Sequence, residues 1–223
     1  MYKELVLNND PKSIISETIR TLRTNLQFAS VDKKLQTILI TSSVPGEGKS
    51  FIAANLAVAF AQSGSRVLLV DCDIRKGRQH YIFGYHNQKG LSNLLLENVR
   101  DKYKDYILET KIKNLSVMFR GVTPPNPSEL LGSAKNKELI EILKNDYDVV
   151  IFDSAPVNGG LTDSVIMSTL VDGVVIVSSY KETPISLLNN TKKNLQNVNA
   201  NILGVVLNRA SSKSRKYYGH YYG

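Results

Sequence analysis

Asp71 and Asp73 lie in the run Leu68-Leu69-Val70-Asp71-Cys72-Asp73-Ile74-Arg75, one helix and one strand after Pro45-Gly46-Glu47-Gly48-Lys49-Ser50. In the earlier segment Gly46 and Gly48 let the backbone turn tightly and aim successive N–H groups at phosphate oxygens. A helix starting near Lys49 adds its positive N-terminal end. Lys49 would pair with the β- and γ-phosphates of a nucleotide, and Ser50 offers a hydroxyl to Mg²⁺, an ion that keeps several waters and needs few protein ligands. Pro45, Gly46, Glu47, Gly48, Lys49, Ser50 and Phe51 form the expected nucleotide-binding segment. One acidic strand end suffices to hold Mg²⁺ beside such a loop, so a second one carrying two carboxylates supplies further acid/base chemistry next to the γ-phosphate. An acceptor for the phosphoryl group is also in view: Tyr217, Tyr218, Tyr221 and Tyr222, four of the eleven tyrosines, fall in the last seven residues.

The other acidic strand end is Val149-Val150-Ile151-Phe152-Asp153, where Asp153 can reach the Mg²⁺ shell directly or through water. Asp71 and Asp73 alternate with Cys72, so on an extended strand both face one side. One can coordinate while the other accepts a proton from an attacking hydroxyl, a needed task because free tyrosine ionises only near pKa ~10. Asp71 is taken as the base and Asp73, with Ser50 and Asp153, as the metal side; the reverse assignment stays open. Arg75 follows as a neutraliser of phosphate charge or as a plain salt-bridge partner. Asn208 and Arg209 sit at a late strand end, where an amide can read the nucleotide base. The loop departs from G-x-x-x-x-G-K-S/T in having Ser43 where glycine is expected.

These residues need a scaffold that brings distant strand ends together. At 223 residues the chain suits one domain that buries roughly 70% of its unfolded surface. Its single cysteine, Cys72, rules out an internal disulfide framework. With no signal peptide in view, a reducing cytoplasm is expected, and Cys72 is read as buried filler. No run approaches the ~20 apolar residues of a membrane-spanning helix. The net charge of +8 fits an anionic partner without choosing one, and part of it lies in Lys213, Arg215 and Lys216 beside the tyrosines. His80, His86 and His220 are too scattered to indicate a metal site.

Asp10-Pro11 reads as an N-cap with proline at the first helical position, opening a helix over about 11–30. Strands are expected at Thr37 to Thr41, Arg66 to Val70, Leu115 to Arg120, Val149 to Phe152, Val174 to Ser178 and Ile202 to Leu207. Helices are expected at Lys49 to Ser63, Lys135 to Lys144, Leu161 to Leu170 and Ile185 to Val198. Continuous Val/Ile/Leu strands alternating with helices predict an α/β fold with a doubly wound, mostly parallel sheet and helices on both faces. All strand C-termini then share one edge, and the three motifs converge there. Thr123-Pro124-Pro125-Asn126-Pro127 is expected to be a rigid loop, neither helix nor central strand. The chain divides into one domain over 1–210 and a tyrosine-rich tail over 211–223.

With these motifs in place, the chain resembles the cytoplasmic kinase domain of bacterial tyrosine kinases of capsule and exopolysaccharide synthesis, in the split form that lacks its own transmembrane segment. Four features carry the resemblance: Ser43 to Ser50, Leu69 to Arg75, Ile151-Phe152-Asp153-Ser154-Ala155-Pro156, and the terminal tyrosines. It implies a P-loop NTPase fold of the partition-ATPase type and an ATP- and Mg²⁺-dependent protein-tyrosine kinase that phosphorylates its own tail and acts on further protein substrates, with no nucleic acid partner. A fifth feature, Glu17-Thr18-Ile19-Arg20-Thr21-Leu22-Arg23, resembles the family's E-x-x-R-x-x-R motif. It implies that Glu17, Arg20 and Arg23 lie in a homo-oligomer contact, in a family known for ring-shaped octamers. From the residues alone an intrahelical ion pair explains them as well. The resemblance further implies a separate transmembrane activator whose cytoplasmic segment recruits this chain to the inner face of the membrane. The competing class is a partition-type ATPase that switches assembly without making phosphotyrosine. Members of that class carry an extra lysine early in the phosphate loop, and here Ser43-Val44 occupies that region.

Overall fold

The computed structural model describes residues 4–29, 35–158, 160 and 162–210. The terminal tyrosines lie outside the described residues. The strands are β1 Thr37–Ser42, β2 Val67–Asp71, β3 Leu108–Glu109, β4 Leu115–Met118, β5 Val149–Asp153, β6 Gly173–Ser179 and β7 Ile202–Asn208. They form one sheet in the order β3-β4-β2-β5-β1-β6-β7, parallel throughout except for the antiparallel edge pair β3 and β4. The helices are α1 Val6–Asn9, α2 Ile14–Phe28, α3 Lys49–Gln62, α4 Gln79–Phe83, α5 Leu91–Leu94, α6 Val99–Lys102, α7 Pro127–Leu131, α8 Ala134–Asp146, α9 Asp163–Ser168 and α10 Ile185–Gln196.

Period-two alternation sends successive strand side chains to opposite cores. Ile38, Ile40, Val67, Leu69, Val149, Ile151, Val175 and Val177 join a core with α1, α2 and α3. Leu39, Leu68, Val70, Val150, Phe152, Val174 and Ile176 join the other, with α5, α8, α9 and α10. Because both faces are covered, the strands read as unbroken apolar runs. Helix α3 is apolar nearly all round and buried from Ile52 to Ala61, since α2 and the N-terminal segment cover the side turned away from the sheet.

Several expectations are corrected in detail. The N-terminal helix, expected over about 11–30, begins at Ile14: Ser13, not Asp10, is its cap and accepts from the Ser16 N–H at 3.2 Å. Asp10 instead uses its carbonyl to accept from the Ser16 hydroxyl at 2.7 Å. The Pro-rich loop does not exclude helix at its end, because Pro127 occupies the first turn of α7, where a missing N–H costs nothing. The strand expected to run to Arg120 stops at Met118, and the helix expected over Leu161 to Leu170 is the shorter α9.

The N-terminal segment is fixed to α3 by one buried amide. Asn55 donates to the carbonyls of Glu4 and Phe51, both at 2.9 Å, and accepts from the Leu7 N–H at 3.4 Å. Asn55→Ala would strand these groups next to the buried Leu5 and Leu7, a loss of about 1–3 kcal/mol. Thermal unfolding should record this as a drop of several degrees, at ~2–4 °C per kcal/mol for a chain of this size; a shift under ~1 °C would show that the amide does not hold the segment.

Candidate active site

The phosphate-loop segment leaves the C-terminal end of β1 and enters α3 through two residues in left-handed conformation, Gly46 at φ 86° and Gly48 at φ 92°. Gly48 is the cap residue of α3, and a Cβ there would meet Asn208 Nδ2 at 2.1 Å. That position therefore admits only glycine, on conformation and on space. Glu47 is 2% exposed and folds its carboxylate into the protein, accepting from the Val44 N–H at 2.8 Å, the Ser179 N–H at 3.2 Å and the Thr183 hydroxyl. Asn208 donates to the Glu47 carbonyl at 2.9 Å, and Arg209 donates to the Gly46 carbonyl at 2.8 Å. The end of β7 thus buttresses the loop. Ser43, in place of the pattern's glycine, accepts from the Thr191 hydroxyl of α10 at 2.8 Å.

Sheet register delivers the carboxylates. Asp71 and Asp153 are direct partners across the parallel pair β2 and β5, and both are fully buried. Cys72 and Ile74 continue the even-numbered set into the second core, which turns Asp71 and Asp73 to the other side. The Cys72 and Asp73 N–H groups both donate to the Asp153 carbonyl, at 2.9 and 3.0 Å. Lys49 Nζ stands 3.2 Å from Asp73 Oδ2, with the two side chains 14% and 4% exposed.

Burial alone would lower the Lys49 pKa, but the nearby Asp153 and Asp73 carboxylates outweigh it and raise it. Burial, with the Asp153 charge adding to it, pushes the Asp71 carboxyl well above the usual carboxylate range despite the Gln79 N–H it accepts. Burial also raises Asp153, opposed by Lys49 and by hydrogen bonds from Ser50 and Gln79. Cys72 is pushed far up by burial and the surrounding carboxylates, which leaves an inert thiol.

The carboxylates suit a hard cation. Asp153 Oδ1 and Asp71 Oδ1 are buried acceptors without a hydrogen-bond partner, and the Ser50 hydroxyl lies against Asp153. A cleft of about 570 Å³ is lined by Gly46, Gly48, Lys49, Ser50 and Phe51 together with Ile15, Ile19, Leu207 and Arg209. Its lining combines the phosphate-loop donors with apolar side chains.

Other residues of interest lie apart. Arg75 is held by the buried Asp163, its Nε at 2.7 Å from Oδ2, with Ser128 bonded to the same carboxylate. Its charge is thus engaged by protein, as in the salt-bridge reading. In α2, Glu17 pairs with Arg20 within the helix, Arg20 also reaches the Pro11 carbonyl at 2.8 Å, and Arg23 lies back against α3. Two residues next to the carboxylates carry no motif. Gln79 donates its backbone N–H to Asp71 and its side-chain amide to Asp153, and a Cβ at Gly77 would meet Asp71 Oδ1 at 2.0 Å. The turn after Asp73 closes over the acids only through chain reversal, which neither residue type announces.

Comparison with known proteins gives concordant results. Residues 35–205 match the family described as AAA domain. The putative tyrosine-protein kinase CapB of Staphylococcus aureus is 38% identical over 219 residues, 98% of this chain and 95% of that protein. The tyrosine-protein kinase YwqD of Bacillus subtilis (strain 168) is 39% identical, covering 99% and 92%. Among solved structures, the crystal structure of the chimerical protein CapA2B2 superimposes with a TM-score of 0.89 at 43% identity, covering 95% of this chain and 92% of that one.

A raised Asp71 pKa has a thermodynamic sign. Between the ordinary carboxylate value near ~4 and the raised folded value, the folded chain binds more protons than the unfolded chain, so stability falls as pH rises through that window. Asp71→Asn in the nucleotide-free protein should therefore unfold several degrees higher than the parent at pH 8, with the gain shrinking below about pH 4. A gain independent of pH, or a loss at pH 8, would refute the assignment of the buried charge.

Proposed function

We propose that this chain, which belongs to the bacterial tyrosine-protein kinase family, transfers the γ-phosphoryl group of ATP to tyrosine hydroxyls, its own Tyr217, Tyr218, Tyr221 and Tyr222 first among them. In this reading 1–210 is the kinase domain and 211–223 a substrate tail, modified between neighbouring subunits. One observation carries it: the chain sets not one but three buried carboxylates, Asp71, Asp73 and Asp153, around the Lys49 ammonium beside a phosphate loop. A carboxylate beyond those a magnesium shell needs is available to take the proton of a tyrosine hydroxyl.

The residues divide the work by position. Backbone N–H groups of Gly46 to Phe51, which follow Pro45, cradle the phosphates, and Lys49 turns from Asp73 to the transferring group. Asn208 and Arg209 hold the loop and line the cleft. Ser50, Asp73 and Asp153 would hold Mg²⁺, which when bound neutralises charge on the phosphate oxygens. Asp71, whose environment raises its proton affinity, accepts the tyrosine proton as the tyrosine oxygen bonds to phosphorus and the bond to the ADP oxygen breaks. Products are ADP and phosphotyrosine, with the proton on Asp71.

Among the described residues no helix is long and apolar enough to cross a membrane. The proposed route to the inner face of the membrane is therefore a transmembrane activator. Capsule or exopolysaccharide production is the proposed process, and a ring joined through Glu17, Arg20 and Arg23 the proposed assembly. Each added phosphate brings about −1.5 to −2 charges, so a modified tail repels the acidic site and loosens that assembly.

Intact-mass measurement after incubation with Mg²⁺ and ATP, with the modified residues mapped, tests the proposal. Phosphate should appear on the four terminal tyrosines, vanish in Lys49→Met and fall by more than half when all four are changed to Phe. ATP hydrolysis with no phosphotyrosine, even with an activator segment supplied, would establish the assembly-switch class instead.

A further inference from the structure

Gln79 is 1% exposed and sits at the start of α4, on no recognised motif. Its side-chain nitrogen donates both hydrogens: one to the Ser50 carbonyl in the first turn of α3 at 3.0 Å, the other to Asp153 Oδ2 at 2.8 Å. With two acceptors facing that nitrogen, a flipped amide would set oxygen against oxygen twice, so chemistry fixes its orientation. Its backbone N–H donates to Asp71 Oδ2 at 3.0 Å. One residue therefore ties the ends of β2 and β5 and the start of α3, the elements whose termini build the site.

The approach to Gln79 is shaped for this contact. After Asp73 the chain turns back on itself, with the Lys76 N–H on Asp73 Oδ1 at 2.9 Å and the Gly77 N–H on the Asp73 carbonyl at 2.7 Å. Gly77 passes so close to Asp71 that no side chain fits. Two other buried amides serve differently, because Asn55 and Asn136 donate to backbone carbonyls that join helices or hold chain ends. Gln79 instead gives a neutral donor to a carboxylate whose other oxygen is unpartnered, and its own Oε1 is likewise buried without a partner. A neutral donor fixes Asp153 without neutralising it, which leaves the full negative charge for a cation.

We propose that Gln79 is a positioning residue that holds the Asp153 carboxylate ready for Mg²⁺ and keeps it in register with Asp71 and Ser50. Its consequence for phosphoryl transfer rests on the kinase reading above; its consequence for Mg²⁺-dependent nucleotide binding does not. Removing the partner that orients a metal-binding side chain typically weakens metal binding by 10–100-fold.

The test uses the full chain with a fluorescent ADP analogue, titrated with and without Mg²⁺. Gln79→Met keeps the length and backbone N–H but lacks the donor. It should bind the analogue without Mg²⁺ within ~2-fold of the parent while its half-saturating Mg²⁺ concentration rises ~10-fold. Gln79→Asn, whose amide is one methylene short, provides the same reading if the Met variant does not fold, and should show the same shift. Half-saturation within ~2-fold of the parent in a folded variant would overturn the proposal, as would an equal loss of affinity with and without Mg²⁺. A parent that binds Mg²⁺ and ADP yet forms no phosphotyrosine from ATP, even with an activator segment supplied, would sink the kinase reading and leave the Gln79 result standing.

Discussion

Everything at the working edge of this molecule depends on placing three buried carboxylates around one ammonium. Removing such charges from water is costly, and attraction to Lys49 repays it only where the geometry is held and remaining lone pairs find donors. The fold meets that requirement with rigid parts. Parallel strands bring Asp71 and Asp153 into exact register, a β-end turn adds Asp73, and the first residue of α3 supplies Lys49. The account is left incomplete: Asp71 Oδ1 and Asp153 Oδ1 have no partner. In the proposed reading such residual cost is what a bound cation and a transferred proton would relieve, because a fully satisfied network would have no reason to bind either.

The phosphate loop is held from below by the same logic. Its backbone must stay open to a ligand, so its shape cannot come from bonds among its own N–H groups. Glu47 provides the brace, binding Val44 across the loop and Ser179 and Thr183 beneath it. Asn208 and Arg209 take the carbonyls of Glu47 and Gly46 from the side. Ser43, where the general pattern has glycine, ties the loop's entry to α10 through Thr191, which a glycine has no side chain to do.

The fold was readable in the sequence because its signals are redundant. Unbroken Val/Ile/Leu runs such as Val149 to Phe152 state that both faces are covered, and alternation with helices then forces a parallel sheet. Boundaries were weaker. Asp10-Pro11 carries the expected start signal, yet Ser13 is the cap: its hydroxyl accepts from the Ser16 N–H, whereas Asp10 meets Ser16 only through its backbone carbonyl. The short antiparallel strand β3 and the small helices α4 to α6 have too few residues to show a period. In the site, motif chemistry pointed to Lys49, Ser50, Asp71, Asp73 and Asp153, each a charged or hydroxyl group at a strand end or loop. Gln79 and Gly77 escaped because their value is positional: one is an amide that reaches two strands, the other an absence of side chain against Asp71. Neither property exists until the chain has folded.

The path of the chain out of the sheet bears on how the proposed acceptors would arrive. Strand β7 ends at Asn208, Arg209 grips the phosphate loop, and Ala210 lines the cleft beside it. Tyr217 follows Ala210 by seven positions and Tyr222 by twelve, and an extended chain spans at most ~3.3–3.6 Å per residue, so chain length alone bounds the proposed acceptors to within about 25 Å (Tyr217) to about 43 Å (Tyr222) of a cleft wall. A tether of that length gives a high effective concentration at any site within reach, on the same subunit or a neighbour, without requiring tight recognition of each tyrosine. Under the proposed self-modification charge adds direction: Lys213, Arg215 and Lys216 favour an acidic site beforehand, and added phosphates would reverse the sign. Weak, tethered and self-cancelling attraction is what a tail needs if it is to be substrate several times over rather than a permanent occupant.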